Sequence, residues 1–452
     1  MTHFRHWLQS SAFFCIAFAV GTAGWSADVP DLRSRTSGSD WPSFLGPTGD
    51  GKSPETGIVT DWSKGLRVVY TLEVGEGYSA PTTSLGRLFF FDRDGDRARL
   101  RCLKSESGEL LWSQDYGTDY VDMYGYSGGP RTSPVVDGDR LYAFGVEGRL
   151  RAHRVTDGKV LWDVDTEARY GVQQNFFGVG ATPVVEGDLL IVPIGGSPKG
   201  SPGISSGRAK PNGTGVVAFD KRTGEERYRL GDELASYASP VLATSGDRRW
   251  AFVFARGGLL AFEPTSGKLD FRVPWRAKLL ESVNAASPVV VGDRLFLTEA
   301  YGPGALLLKF RPGGFDEVWR DGRRNQSFAS HWSTPIHHGG YLYGSSGRSS
   351  GNSDLRCVDM ATGEVKWKQP GLRRSTQLFV DGHLVALGEY GELWLVKARS
   401  DRFEKVAETV LEGDGKPLLR HPAWNSPVLS HGLLYLVGKG RMVAVELIPP
   451  SR

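Results

Sequence analysis

Residues 132–162 read TSPVVDGDRLYAFGVEGRLRAHRVTDGKVLW, and this stretch decides the fold. It holds four short apolar runs: Ser133–Val136, Arg140–Gly145, Arg149–Val155 and Val160–Val164. Asp137-Gly138, Glu147-Gly148 and Asp157-Gly158 separate them, and these are the residues tight turns need. Each run has the length and the flanking residues of a strand, so the stretch reads as one four-stranded antiparallel meander.

The pattern returns along the chain. A small residue, Pro, two β-branched or apolar residues, a Gly turn and an apolar strand appear as SAPTTSLGRLFFF from Ser79, TSPVVDGDRLYAF from Thr132, ATPVVEGDLLIV from Ala181 and ASPVLATSGD from Ala238. It continues as ASPVVVGDRLFL from Ala286, STPIHHGGYLY from Ser333, STQLFVDGHLVAL from Ser375 (Gln377 in the Pro place) and NSPVLSHGLLYL from Asn425. Successive copies are 42 to 57 residues apart, about 49 on average, the length of a four-stranded propeller blade. A second pattern follows in most copies: an apolar strand, a T/S/D-G-E/K turn and an aromatic, ending at Trp112, Trp162, Tyr228, Phe271 and Trp367. Copy five is looser and ends at Trp319; copy seven lacks both the Gly and the Trp. The terminal aromatic is expected to dock on a neighbouring blade, because a lone blade leaves that face uncovered.

The eighth copy stops after Arg441–Leu447, one strand short, while RVVYTLEV, Arg67–Val74, stands unclaimed before the first copy. Pairing the two removes an open edge. The expectation is an all-β fold, an eight-bladed β-propeller of four-stranded blades over 66–448, closed by an N-terminal strand. Residues 25–65, with WPSFLGP from Trp41, are expected to be an extended segment on its surface.

Composition agrees. Over 452 residues, 40% are hydrophobic and 23% charged, which excludes a disordered chain. A formal charge of +3 gives no ground for a nucleic-acid surface. Gly 59, Pro 25, Trp 13, Tyr 15 and Phe 22 suit many turns and strands rather than a helical bundle. Three Cys do not make a disulfide scaffold; Cys102 and Cys357 fall on third strands of non-neighbouring blades, and two buried free thiols are expected. His3, Arg5 and His6, the apolar run Ala12–Val20 and the small residues Gly21 to Gly24 have the layout of a signal peptide over 1–24, with a cleavage point between about 23 and 27. A short membrane anchor is the alternative, although the run is too short to span a bilayer. Cys15, after Phe14, has a poor context for lipid attachment. The mature chain is therefore expected in the periplasm or cell envelope, with no transmembrane segment.

The two linked patterns resemble the tryptophan-docking repeats of the pyrroloquinoline quinone (PQQ) propeller superfamily, over about residues 41–448. That superfamily includes BamB-like proteins of outer-membrane assembly and the quinoprotein alcohol dehydrogenases. The dehydrogenase resemblance would imply bound PQQ, a Ca2+ held by Glu, Asn and Asp, an Asp base and often a vicinal disulfide. This chain has no adjacent Cys pair.

In a blade, the strand 1–2 and 3–4 turns share one face, and here they are uniformly tight. The long insertions belong to the other face: 115–131, 165–180, 195–213, 276–284, 320–331, 345–353 and 410–424. Binding surfaces sit on such loops. The residue three places before each Pro should enter the channel on that face, giving Tyr78, Arg131, Gly180, Tyr237, Ala285, Trp332, Arg374 and Trp424, with Asn284, His331 and Arg373 one place earlier. The candidate ligand-binding ring is Tyr78, Arg131, Tyr237, Asn284, His331, Trp332, Arg374 and Trp424. It would form an aromatic and basic funnel for a planar anion or an acidic peptide. The plainer alternative is that these side chains only plug the channel. Tyr120, Met123, Tyr124, Tyr126, Phe176 and Phe177 could widen the apolar surface.

No ring position carries a carboxylate; Asn284 is the one amide available and Glu281 the nearest acid. A hard cation needs several oxygen ligands, so no metal is assigned. His337-His338 reads as a solvated turn, DRDGD from Asp92 as a strand 2–3 turn, and GGSPKGSPG from Gly195 as a loop insertion without the ending of a phosphate loop. Asn212 and Asn325 match glycosylation acceptors. No catalytic constellation can be assembled from spacing. The resulting expectation is a non-enzymatic exported scaffold that binds a cell-envelope protein or a small anionic or planar ligand, with no nucleic-acid partner. The alternative is a PQQ-dependent oxidoreductase with an atypical site, using PQQ and Ca2+.

Overall fold

A computed structural model describes residues 29–173, 176–322 and 324–450. The expected signal peptide over 1–24, with Cys15, lies outside them. Eight four-stranded antiparallel sheets make up the fold. Among the described residues, helix is confined to Thr166–Tyr170 and two single 3-10 turns.

Blade one is Thr82–Ser84, Arg87–Asp94, Arg97–Lys104 and Leu110–Gly117; blade two is Val135–Asp137, Arg140–Phe144, Arg149–Arg154 and Val160–Asp165. Blades three to seven follow over 184–230, 241–274, 289–320, 336–369 and 375–410. Blade eight joins Val428–Ser430, Leu433–Gly438 and Arg441–Glu446 to Arg67–Glu73. The closing pair is antiparallel, with Arg67 opposite Glu446 and Glu73 opposite Arg441, so the ring is closed by the N-terminal strand as expected. First strands begin just after the repeat proline, later than Ser133 in blade two, because proline has no N–H for the ladder.

The repeat residues explain themselves in this arrangement. The small residue before each Pro links neighbouring blades: Ser133 N–H donates to Thr182 Oγ1 (3.0 Å), Thr182 N–H to Ser239 Oγ (3.0 Å), Ser239 N–H to Ser287 Oγ (3.1 Å) and Ser287 N–H to Thr334 Oγ1 (2.9 Å). The fourth-strand tryptophans dock one blade on. Trp112 Nε1 donates to Val155 O (2.9 Å), Trp162 to Lys221 O (3.1 Å), Trp319 to Met360 O (3.0 Å) and Trp367 to Arg399 O (2.9 Å). Each ring needs a flat neighbour. At Gly158 the backbone is left-handed (φ +74°), and a Cβ would stand 2.6 Å from the Trp112 ring, which is why the turn motif carries glycine. Tyr70 on the closing strand does the same work for blade one, lying against Gly108 and donating to Ser105 O (2.9 Å).

The segment before the closing strand binds the turn ends of first strands. Thr83 N–H donates to Trp41 O (2.8 Å), Val136 N–H to Pro42 O (2.8 Å) and Phe379 N–H to Gly51 O (3.0 Å). Trp41, Ile58 and Trp62 join the core shared by blades seven, eight and one. His337 and His338 are strand residues of Ile336–His338 rather than turn residues, and the His338 ring lies 4.4 Å from Phe379. Asp92 of the DRDGD run is buried and paired with Arg99 and Arg101. Cys102 and Cys357 are buried free thiols, both pushed up to about 12 by burial and therefore inert as thiolates.

Candidate functional site

The first strands enter the channel on the long-loop face, and there the loops enclose a cavity of about 770 Å³. Tyr78, Arg131, Gly180, Tyr237, Ala285, Trp332, Arg374 and Trp424 all line it, together with His331, Tyr124, Tyr126, Phe177 and Glu281. Phe44, from the N-terminal segment, also reaches it. Asn284 does not. It is buried behind the wall, where its side-chain amide donates to Ala255 O (2.8 Å) and Trp275 O (3.3 Å).

The aromatic rings form a continuous lining. Ring centres are 5.2 Å apart for Tyr78–Trp424, 5.0 Å for Trp332–Trp424 and 4.9 Å for His331–Trp332. On the other side Trp424–Tyr126 and Tyr126–Phe177 are both 5.9 Å apart, and Phe177–Tyr237 5.7 Å. The loop 119–126 forms a lip to this wall. Asp122, buried, accepts the N–H groups of Tyr124 (2.9 Å) and Tyr126 (3.2 Å) and the Arg131 guanidinium. That fixed loop leaves Val121 82% exposed and Met123, Tyr124 and Tyr126 about half exposed.

The ring arginines are answered from within. Arg374 lies 5.0 Å from the Trp332 ring and 4.8 Å from the Trp424 ring, and donates to Glu389 through Nη2 (2.7 Å) and Nε (3.0 Å). Trp424 Nε1 donates to the same carboxylate (3.2 Å). Burial pushes Glu389 up, but Arg374, Ser350 and Trp424 outweigh it and hold the carboxyl below its ordinary range. Arg131 is neutralised by Asp122. Arg348 differs: its guanidinium lies 4.3 Å from the Tyr301 ring, and among the described residues it has no carboxylate at ion-pair distance.

Two further groups belong to this part of the site, His331 in the wall and Glu299 behind it. His331 Nε2 shares a hydrogen bond with Tyr301 Oη (2.9 Å), and burial, with Arg374 and Arg348 nearby, pushes its pKa down to about 3. Glu299 is buried and pushed up to about 7 by burial, against the Tyr301, Gly304 and Gly302 N–H groups; its Oε1 has no partner. Between about pH 4.5 and 7 the folded protein thus keeps a proton that the unfolded chain releases, so this group lowers stability as pH rises. Glu299→Gln is expected to raise stability at pH 8 by on the order of 2–3 kcal/mol, with little change at pH 4. Urea unfolding at the two pH values checks this; an equal effect at both would show that the carboxyl is not held protonated.

The offset from the repeat proline found the connection residues but missed the acids and the strand 2–3 loops. Asp122, Glu389, Tyr301 and Arg348 have no fixed place relative to that proline. One signal was present: Glu147, Glu299 and Glu389 all stand at or just after the end of second strands, in LYAFGVE, LFLTE and LVALGE. These acids do not suit a calcium–PQQ pair. Among the described residues no group of three or more His, Cys, Asp or Glu could hold a metal ion. Asp122 and Glu389 are committed to arginines, and the Asn284 amide is committed to backbone carbonyls.

A family model described as outer membrane protein assembly factor BamB matches residues 21–210 and 212–407. No curated protein matches by sequence. Among solved structures, BamB from Moraxella catarrhalis is similar at 14% identity and TM-score 0.57, over 84% of this chain and 97% of that one. Quinohemoprotein alcohol dehydrogenase from Comamonas testosteroni is similar at 12% identity and TM-score 0.63, over 91% of this chain and 81% of that one. The corresponding enzyme ADHIIG from Pseudomonas putida HK5 gives 13% identity and TM-score 0.61, over 91% and 82%. At these identities the structures share the fold, whereas the family match takes in well over half of the sequence: the chain belongs to the BamB-like family of PQQ-repeat β-propellers.

Proposed function

We propose that the protein is an exported, non-enzymatic scaffold of the cell envelope, and that a segment of another protein enters its loop-face cavity. One observation carries this reading: an exposed apolar lip, Val121 to Tyr126, leads into an aromatic-lined cavity in which two of the arginines, Arg131 and Arg374, are tied to the buried acids Asp122 and Glu389. Aromatic walls suit extended chains with apolar side chains. The family places relatives in outer-membrane assembly, and no helix among the described residues is long and apolar enough to cross a membrane.

A photo-crosslinking residue in place of Tyr124 is expected to give a discrete protein adduct in cells, reduced at least tenfold by Phe177→Ala. The same residue in place of Asp157, on the tight-turn face, should give none. Equal capture at both positions would sink the proposal. The oxidoreductase alternative predicts that PQQ with Ca2+ raises the melting temperature and supports dye-linked alcohol oxidation; we expect neither.

A further inference from the structure

The cavity has two unlike sides. Tyr78, Tyr126, Phe177 and Tyr237 make one side aromatic, where Arg131, over the Tyr78 and Phe177 rings, is already paired with Asp122. Across from them the strand 2–3 loop of blade six, GRSSGNS over 347–353, brings in Arg348 with Ser349 and Ser350. Three arginines therefore reach the wall, and two already hold a buried carboxylate. Arg348 is in no ion pair among the described residues, although Glu281 lines the same cavity and Arg348 acts on buried Glu299 through its charge; the Tyr301 ring 4.3 Å away fixes where that charge sits. Trp332 lines the same wall, and its buried indole N–H has no acceptor. A cation in no ion pair beside an aromatic pocket is complementary to one anion carried on an apolar body.

We propose that the cavity recognises a carboxylate next to an apolar side chain of a polypeptide, with the side chain against the aromatic side and the carboxylate on Arg348. This rests on the protein-segment reading above and adds which chemistry the segment presents. A chain terminus and an acidic side chain both supply that group. Three probes separate them by calorimetry on the purified protein: N-acetyl-Leu-Phe as the free acid, its C-terminal amide, and N-acetyl-Phe-Glu amide. The free acid is expected to bind at least tenfold more tightly than its amide. The margin should collapse in Arg348→Gln and shrink as salt rises. Arg348 is exposed and in no ion pair, so this variant should keep the parental melting temperature. A Glu probe as tight as the free acid assigns either source; a weaker one assigns the terminus. Equal binding of acid and amide, no binding of any probe, or a margin that survives Arg348→Gln overturns the inference. If the Tyr124 adduct persists in that case, the scaffold reading stands without it; if the adduct is also absent, both fall.

Discussion

A chain begun at Gly75 is expected to lose its cooperative melt and to run as aggregate, while a chain begun at Leu66 folds. The two differ only by the closing strand. Without Arg67–Glu73 the strand Arg441–Glu446 presents a row of unpaired backbone groups, a template for pairing with other molecules. Val68, Tyr70 and Leu72 would also leave the core shared by blades seven, eight and one. Their burial, with the lost ladder and the Tyr70–Ser105 bond, sums to on the order of 5 kcal/mol or more, comparable with the whole stability of a domain. Size-exclusion chromatography and thermal melts of the two chains are the measurement. A monomeric Gly75 chain melting within about 5 °C of the Leu66 chain would show that the ring does not depend on this strand.

Glu389→Ala is expected to destabilise the protein by about 3–5 kcal/mol, because it strands the Arg374 guanidinium between two indoles with no counter-charge. The Trp424 indole N–H loses its acceptor in the same step. Glu389→Gln keeps the shape and one acceptor, so about half of that loss is expected. Since Arg374, Ser350 and Trp424 hold the carboxyl below its ordinary value of 4.5 despite burial, the folded state binds fewer protons than the unfolded one. The contribution is therefore complete above about pH 4.5 and is lost as pH falls through the lower, folded-state value. Chemical unfolding from pH 3 to 7 should show a steep acid decline in the parent and a shallower one in Glu389→Gln. Parallel profiles would mean that the ion pair carries no net stability.

The propeller was legible because its constraints are local and repeat eight times. The small residue before Pro and the Gly of the turn each do a job fixed by the next blade, so both recur in sequence. Tyr70 shows the same rule where it is harder to see, since the strand that carries it is separated in sequence from the rest of blade eight. The cavity was legible only through residues tied to that repeat. Asn284 shares its place next to a ring position with His331, yet it faces backbone carbonyls while His331 faces the cavity. The deciding factor is which neighbouring groups offer a hydrogen bond, here the Ala255 and Trp275 carbonyls at or just past strand ends of blade four, and the repeat does not specify these. Glu389, Asp122 and Arg348 escaped for that reason.

Phe44 gives the cavity a floor residue that no blade supplies. It stands in the cavity from the side opposite the long loops, on a segment hydrogen-bonded to blades one, two and seven. A segment entering from the long-loop face, as proposed above, would meet Phe44 at the far end, so it would go in as a tail or a tight bend and leave by the same mouth, with any long flanking sequence folded back over the rim.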